Sequence, residues 1–281
     1  PLGIDTILFC LGNGVRGIPL AALHDGEQFL IEKYSLTRIP AFNLIEHDYT
    51  NLQQGRLLAM GASEFEAQTP LPAVPIELSQ ITQELTSTET VELEPDFSFL
   101  NEDFVLPTLE RLLKTNSFDI VHLATHAEFQ ADSPSESYIQ FWDQRLTLKY
   151  MPNIPWSDSR VELLVLSACE TAVGDDGAEL GFAGLALQSG VKSAVASLWH
   201  VSDGATLALM TEFYRQLAIA PTRADALRQA QLQMLRDAIY FEDNTLQLSR
   251  GEVLLPETVM GEDSLSHPLY WAGFTMISSP W

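Results

Sequence analysis

Five short apolar runs, Ile7 to Cys10, Leu57 to Met60, Ile120 to Ala124, Leu163 to Ser167 and Ala194 to Leu198, each stop at turn-forming or polar residues. Runs this continuous, without polar alternation, belong to strands covered on both faces, which is the condition of a parallel sheet. Between them lie stretches with helical character: Ile76 to Leu85, Phe104 to Leu113, Ala178 to Gln188, Gly204 to Leu217 and Arg223 to Ile239. Strand and helix alternate, so the sequence predicts an α/β chain with a mostly parallel central sheet flanked by helices. At 281 residues the chain is long enough for one large α/β unit with an appended subregion.

Three segments break that rhythm. Up to about Leu44, hairpin-like strands surround Asp25-Gly26, and this part reads as a β-rich N-terminal appendage. The expected division is therefore a subregion over residues 1–50 and a core over 51–281. Glu128 to Arg160 holds Pro134, Pro152 and Pro155 among many Ser and Asp residues, with one strand-like stretch, Tyr138 to Trp142. Glu242 to His267 is acidic and nearly without periodicity. Long loops in a compact domain are usually functional, and one of these two is expected to order before any pocket is competent.

Composition narrows the function. With 38 acidic and 15 basic residues the formal net charge is −23, which excludes a nucleic-acid partner and disfavours an anionic membrane surface, since both need clustered Lys and Arg. A basic partner or substrate, or simply a solvated acidic surface, fits that charge. Two cysteines give no disulfide framework and no CxxC zinc pattern. No apolar run reaches the length of a membrane span, and Pro1-Leu2-Gly3-Ile4-Asp5 lacks the basic start of a signal peptide. Together these predict a cytoplasmic domain cut from a longer chain, without metal or cofactor.

Two of the strands end in reactive side chains. Asp119-Ile-Val-His-Leu-Ala-Thr-His126 runs an apolar strand into His126, and Glu162-Leu-Leu-Val-Leu-Ser-Ala-Cys169 does the same for Cys169. Open α/β sheets bind ligands beyond the carboxyl ends of their strands. If these strands are parallel neighbours, imidazole and thiol share one sheet edge, where the histidine lowers the thiol pKa and activates it as a nucleophile. Taken singly, a satisfied strand-end histidine and a buried inert cysteine are the plainer readings.

The 43-residue separation of His126 and Cys169, with Ser167-Ala168-Cys169-Glu170-Thr171 at the nucleophile, is close to the caspase spacing. More specifically the chain resembles the CHAT family of caspase-like domains. Five stretches carry the resemblance in the family's order. They are Ala21-Ala-Leu-His-Asp-Gly26, His122-Leu-Ala-Thr-His-Ala-Glu-Phe129, Leu166-Ser-Ala-Cys-Glu-Thr-Ala172, Gly184-Leu-Ala to Ser197-Leu-Trp-His-Val-Ser-Asp203, and His267-Pro-Leu-Tyr-Trp-Ala-Gly-Phe274. The resemblance implies a caspase-hemoglobinase fold, a His126-Cys169 dyad and a cysteine endopeptidase acting on a protein or peptide substrate. It also implies an oxyanion hole from the backbone N–H groups of Cys169 and Ala127, where many relatives have Gly in place of Ala127. Relatives often sit behind tetratricopeptide repeats, so a regulatory domain upstream is expected. The other reading of such a domain is a catalytically silent module that binds a protein partner.

Ser197-Leu-Trp-His-Val-Ser-Asp203 resembles the strand edge lining the primary pocket of caspase-like enzymes. Caspases receive Asp there with arginines, whereas this chain offers Asp203 and Trp199, with Asp175 and Asp176 in the loop after Cys169. Carboxylates attract a cationic side chain, so cleavage after Lys or Arg is expected. Asp203 equally suits the cap of the following helix. The remaining motifs are structural readings: Gly12-Asn-Gly-Val-Arg-Gly17 as a hairpin turn, because no crossover helix follows it; His122 as a core or supporting residue; His267 as structural; Cys10 as a small buried hydrophobe. His200 stands near the expected pocket and is an alternative base.

Overall fold

A computed structural model of the chain describes residues 4–12, 14–42, 45, 48–86, 97–130, 133–168, 181–259, 261–262 and 264–281. Its centre is an eight-stranded sheet with the spatial order β1 (Thr6–Phe9), β2 (Ser35–Arg38), β14 (Phe274–Ser278), β10 (Ser193–Ser197), β9 (Leu163–Ser167), β5 (Ile120–Ala124), β3 (Leu57–Gly61) and β4 (Ser98–Leu100). Every neighbouring pair is parallel except β10 with β14. The five strands from β10 to β4 therefore point the same way and end at one edge. Two small three-stranded antiparallel sheets flank it: β6 (Ala127–Glu128), β7 (Tyr138–Gln140) and β8 (Arg145–Thr147), and β11 (Tyr240–Glu242), β12 (Thr245–Gln247) and β13 (Glu252–Leu254).

The strands alternate between two apolar layers, as period-two side chains must. Ala59, Leu163, Val165 and Val195 face the layer formed with α2 (Val74–Thr86), α6 (Asp203–Leu217) and α7 (Arg223–Leu235). Leu58, Met60, Leu164, Leu166 and Ala196 face the layer formed with α3 (Leu106–Thr115), α4 (Trp156–Ser159) and α5 (Gly181–Gln188). Single turns α1 (Leu30–Lys33) and α8 (Pro268–Trp271) complete the helices. The helices begin where local chemistry allows. Ser202 caps α6 by accepting from the Ala205 N–H, and Thr222 caps α7 by accepting from the Asp225 N–H, each worth about 1 kcal/mol.

The N-terminal part differs from the appendage expected of it. Only the single bridge His24–Phe29 and a turn closed by Asp25 N–H to Gln28 surround Asp25-Gly26, and β1 and β2 run parallel as one edge of the main sheet. The reason is polar side chains that find partners only in three dimensions. Thr37 Oγ1 donates to the Ser278 carbonyl at 2.9 Å, and buried Arg38 donates to Thr275 and to the carbonyls of Arg16 and Ile18. Arg38 thereby fixes the glycine-rich loop, which is a turn on the way to a parallel strand and not the tip of a hairpin. Cys10 is exposed, its thiol 3.5 Å from the Pro40 carbonyl, in place of the buried position expected.

The 242–267 stretch also departs from expectation. Residues 240–254 form the β11–β13 meander, which buries Leu246 and Val253 against the α6 side. Ser249 donates to the buried Glu212 carboxylate at 2.7 Å, and Arg215 bridges Glu212 to Glu84 on α2. In the 128–160 stretch, β6 to β8 pack Ile139, Phe141 and Leu146 into the second layer.

Candidate functional site

The register of β5 on β9 is unbroken from Ile120 opposite Leu163 to Ala124 opposite Ser167. One residue further, the Thr125 N–H still reaches the Ser167 carbonyl at 3.3 Å. His126 follows Ala124 by two residues, as Cys169 follows Ser167. Cys169 itself, with Asp175 and Asp176, lies outside the described residues. The residue before it, Ala168, is held by the Ser197 hydroxyl of β10, which donates to its carbonyl at 2.7 Å. On the other side, Thr125 Oγ1 donates to the Gln140 carbonyl and the Gln140 N–H donates to the His126 carbonyl, so β7 clamps the exit of β5.

The His126 ring is half-buried against Phe65, with ring centres 4.6 Å apart, and its Nε2 lies 2.7 Å from the Thr69 carbonyl. A carbonyl only accepts, so Nε2 carries the proton and Nδ1 is the basic nitrogen of the neutral ring. Burial holds the imidazole below its ordinary value of 6.5. The Thr69 carbonyl opposes that shift and the nearby His200 adds to it. A neutral imidazole at pH 7, with one nitrogen oriented by a carbonyl, is the protonation state a general base needs.

Thr69 opens a short bridge to a second feature. From Pro70 onward the chain lines a cavity of about 770 Å³, whose wall includes Ser63, Pro72, Ser202 and four carboxylate residues, Glu64, Asp203, Glu257 and Glu262. The bridge ends at Ala73, whose N–H donates to Asp203 Oδ2 at 2.8 Å. Burial, with Glu77 and Glu262 nearby, raises the Asp203 carboxyl to about 6 against the single opposing hydrogen bond from Ala73. Glu262 accepts from the Ser202 hydroxyl through one oxygen, and its other oxygen is buried with no partner among the described residues. Like charges gathered with an unsatisfied oxygen favour a cationic group in the cavity.

Asp203 is thus the first residue of α6 while Ser202 supplies the cap, and its carboxylate serves the cavity wall and the Ala73 N–H. Trp199 is not on that wall. Its indole N–H donates to the Leu269 carbonyl at 2.9 Å, and its ring lies where a Cβ on Gly273 would approach within 3.0 Å. Ala127 is in β6, paired with Ile139, and is not among the residues with left-handed backbone, so its Cβ is tolerated. His267 caps α8, Nδ1 accepting from the Leu269 N–H. His122 is fully buried between Glu77 and Tyr214. Sequence reading had no means to find Glu64, Glu257 and Glu262, because Glu64 lies far in the chain from the other two and the three gather with Asp203 only in the fold. Among the described residues no group of three or more His, Cys, Asp or Glu is arranged to hold a metal ion, and no helix is long and apolar enough to cross a membrane.

A family model described as the CHAT domain matches residues 1–279. Among solved structures, the Saccharomyces cerevisiae separase-securin complex aligns with a TM-score of 0.59 at 13% identity, over 99% of this chain and 15% of that chain. The Arg-specific cysteine proteinase gingipain R aligns with a TM-score of 0.53 at 9% identity, over 92% of this chain and 56% of that chain. The Porphyromonas gingivalis complex of RgpB pro- and mature domains gives 0.51 at 9% identity, over 88% of this chain and 56% of that chain. The chain therefore spans about half of the gingipain chains and a small part of separase. At these identities the likeness is one of fold, and the fold is the caspase-hemoglobinase fold. Comparison with curated protein sequences finds no match.

Proposed function

The chain belongs to the CHAT domain family, and on that premise we propose that it is a cysteine endopeptidase that cuts a protein partner after Lys or Arg. Cys169 is the nucleophile and His126 the base. Neutral His126 takes the thiol proton on Nδ1, and the thiolate attacks the scissile carbonyl carbon. The oxyanion of the tetrahedral intermediate accepts from the backbone N–H groups of Cys169 and Ala127. Collapse breaks the C–N bond while the imidazolium protonates the departing amine. Water then attacks the thioester with His126 again as base, releasing the acid and the thiol.

One observation carries this reading: five residues, Thr69 to Ala73, connect the partner of the His126 imidazole to the partner of the Asp203 carboxylate at an acidic cavity. A basic side chain held by Asp203 and Glu262 brings the next peptide bond toward His126, as proximity catalysis requires. Asp175 and Asp176 add negative charge close in sequence to the nucleophile. Trp199 belongs to the substrate side through its place at the exit of β10. The Arg specificity named for gingipain R, a structural neighbour, agrees with a cationic side chain in the cavity. A substrate that is itself a protein, and regulatory sequence upstream such as tetratricopeptide repeats, belong to the same proposal.

A positional-scanning peptide library run on the parent, Cys169→Ala and His126→Ala tests it. The parent should cut after Arg or Lys and both variants should be silent. Cleavage that survives Cys169→Ala overturns the mechanism, and a preference for Asp overturns the pocket. Binding of a basic peptide with no cleavage by the parent points to the interaction module instead.

A further inference from the structure

At the centre of the molecule, away from solvent, three polar side chains meet. His122 sits mid-strand on β5 with 0% exposure, its Nε2 2.9 Å from Glu77 Oε1 on α2 and its Nδ1 3.1 Å from the Tyr214 hydroxyl on α6. Glu77 is 1% exposed and Tyr214 is 0% exposed. With Nε2–H donating to the Glu77 carboxylate, Nδ1 of a neutral ring accepts the Tyr214 O–H, and every buried polar atom of the trio named here has a partner. Full satisfaction is what lets such a network persist in an apolar layer, and a network of this kind fixes one arrangement of the elements that carry it.

Those three elements are the ones that carry the site. From His122 the chain continues to the end of β5 at Ala124, two residues before His126. The first turn of α2 runs from Glu77 back to Ala73, with the Glu77 N–H donating to the Ala73 carbonyl, and continues into Thr69 and Pro70. α6 runs from Tyr214 back to Asp203. At the sheet edge the same three elements are tied again, by Thr69 to His126 and by Ala73 to Asp203. The connections close a circuit: His126, β5, His122, Glu77, α2, Ala73, Asp203, α6, Tyr214 and back to His122. Between the two levels the packing is apolar, with Val74 of α2 and Ala205, Ala208 and Met210 of α6 in one continuous layer. Apolar burial is non-directional, whereas the hydrogen bonds at both ends each require a defined distance and angle.

Building on the peptidase reading above, we infer that His122, with Glu77 and Tyr214, is a positioning hub that sets the distance and angle between the base His126 and the cation-holding Asp203. It touches neither substrate nor reacting atoms. Its effect is geometric, and a displacement of one end of the circuit is felt at the other, because no element is tied at a single point. Glu77 also lies close enough to Asp203 to act on its carboxyl directly, alongside Glu262 from the segment after β13 and the opposing Ala73 N–H.

Three substitutions read the hub. Tyr214→Phe removes one oxygen and keeps the packing, Glu77→Gln keeps an acceptor for Nε2–H without the charge, and Glu77→Leu removes the acceptor. We would measure kcat and KM on a fluorogenic arginine peptide, thermal unfolding, and the His126 ring resonances by NMR in a Cys169→Ala background. Glu77→Leu is expected to lower kcat/KM by about tenfold or more, since small misplacements of reacting groups are costly. Glu77→Gln should recover to within about threefold of the parent, the rescue a merely space-filling role would not give. The His126 resonances should shift in Glu77→Leu and return in Glu77→Gln. Equal kcat/KM in the parent and Glu77→Leu, or a fall matched only by loss of folded protein with His126 resonances unmoved, overturns the hub. If Glu77→Leu does not fold, Tyr214→Phe decides: a fall in kcat/KM with shifted His126 resonances supports the hub, and parent-like values overturn it. A parent that cuts no arginine peptide defeats the peptidase reading alone. The NMR arm then decides the hub by the same shift and return.

Discussion

The backbone N–H of Ala73 donates to the Asp203 carboxylate over 2.8 Å, so the entry to α2 and the first residue of α6 share one hydrogen bond at the acidic cavity. That bond favours the ionised carboxylate, yet burial and the neighbouring Glu77 and Glu262 outweigh it and lift the group to about 6. Asp203 is held in a costly state at neutral pH, and a cation entering the cavity relieves it.

Removing the charge therefore separates stability from function. A carboxyl whose native value is raised from 3.8 to about 6 contributes stability that is fully present below 3.8 and is lost as pH climbs through 6. That gap is worth at most about 3 kcal/mol, and partial solvent screening reduces it to about 1–2 kcal/mol. Asp203→Asn, which can still accept from Ala73 N–H, should be more stable than the parent by that amount at pH 8 and nearly equal near pH 4, measured by urea unfolding. Its KM for arginine peptides should rise by about tenfold or more at pH 8. A variant no more stable at pH 8 than the parent contradicts the account.

The pH dependence of turnover isolates His126. Burial and His200 both lower its value, so the acidic limb of kcat is expected below the ordinary histidine value of 6.5. His200→Gln removes a charge that repels the imidazolium, and the limb should move to higher pH. Binding has a separate limb: KM for a basic peptide should fall as pH rises through about 6, where Asp203 ionises. Movement of the kcat limb to lower pH in His200→Gln would reverse the assigned sign.

Gly61 closes β3 where the backbone approaches β5. A Cβ there would stand 2.6 Å from the Ala124 carbonyl and 2.8 Å from Val74 Cγ1, two residues before His126 and at the start of α2. Overpacking of this kind costs about 1–3 kcal/mol. Gly61→Ala should lower the thermal midpoint accordingly and reduce turnover of any basic peptide. Gly12, whose Cβ would meet nothing within 4 Å, is the control, and Gly12→Ala should leave both unchanged.

What the residues alone disclose depends on whether a partner is near in sequence. β5 and β9, each ending two positions before His126 and Cys169 in the sequence, are legible because both faces are covered, which leaves unbroken apolar runs. β2 is not among the apolar runs because Ser35, Thr37 and Arg38 are polar yet buried, each with a partner about 190 to 240 positions away, and Arg38 with Arg16 and Ile18 as well. The β11–β13 meander escapes because three-residue strands are too short for a period of two to register, with Leu246 and Val253 its inward side chains. His122 is legible as a core residue, one polar position in an apolar strand, but Glu77 and Tyr214 are visible as its partners only once α2 and α6 lie side by side. The cavity is least legible of all, since Glu64, Asp203, Glu257 and Glu262 come from three separate parts of the chain.

Ser202 offers the sharpest test of how the last of those parts reaches the cavity. Its hydroxyl accepts from the Ala205 N–H as the α6 cap and donates to Glu262, so one side chain serves both the helix and the wall. Ser202→Ala loses the cap, about 1 kcal/mol, and leaves a Glu262 carboxylate whose other oxygen already has no partner among the described residues. Ser202→Asp restores the cap and places a like charge against Glu262. If the tie to Glu262 shapes the cavity, the two variants diverge: Ser202→Asp unfolds close to the parent temperature yet binds arginine peptides more weakly, while Ser202→Ala is impaired in both. If the cap is the whole role of Ser202, Ser202→Asp restores stability and KM together. Thermal unfolding beside KM on one arginine peptide distinguishes the two, because only the tie to Glu262 separates the helix start from the wall of the cavity.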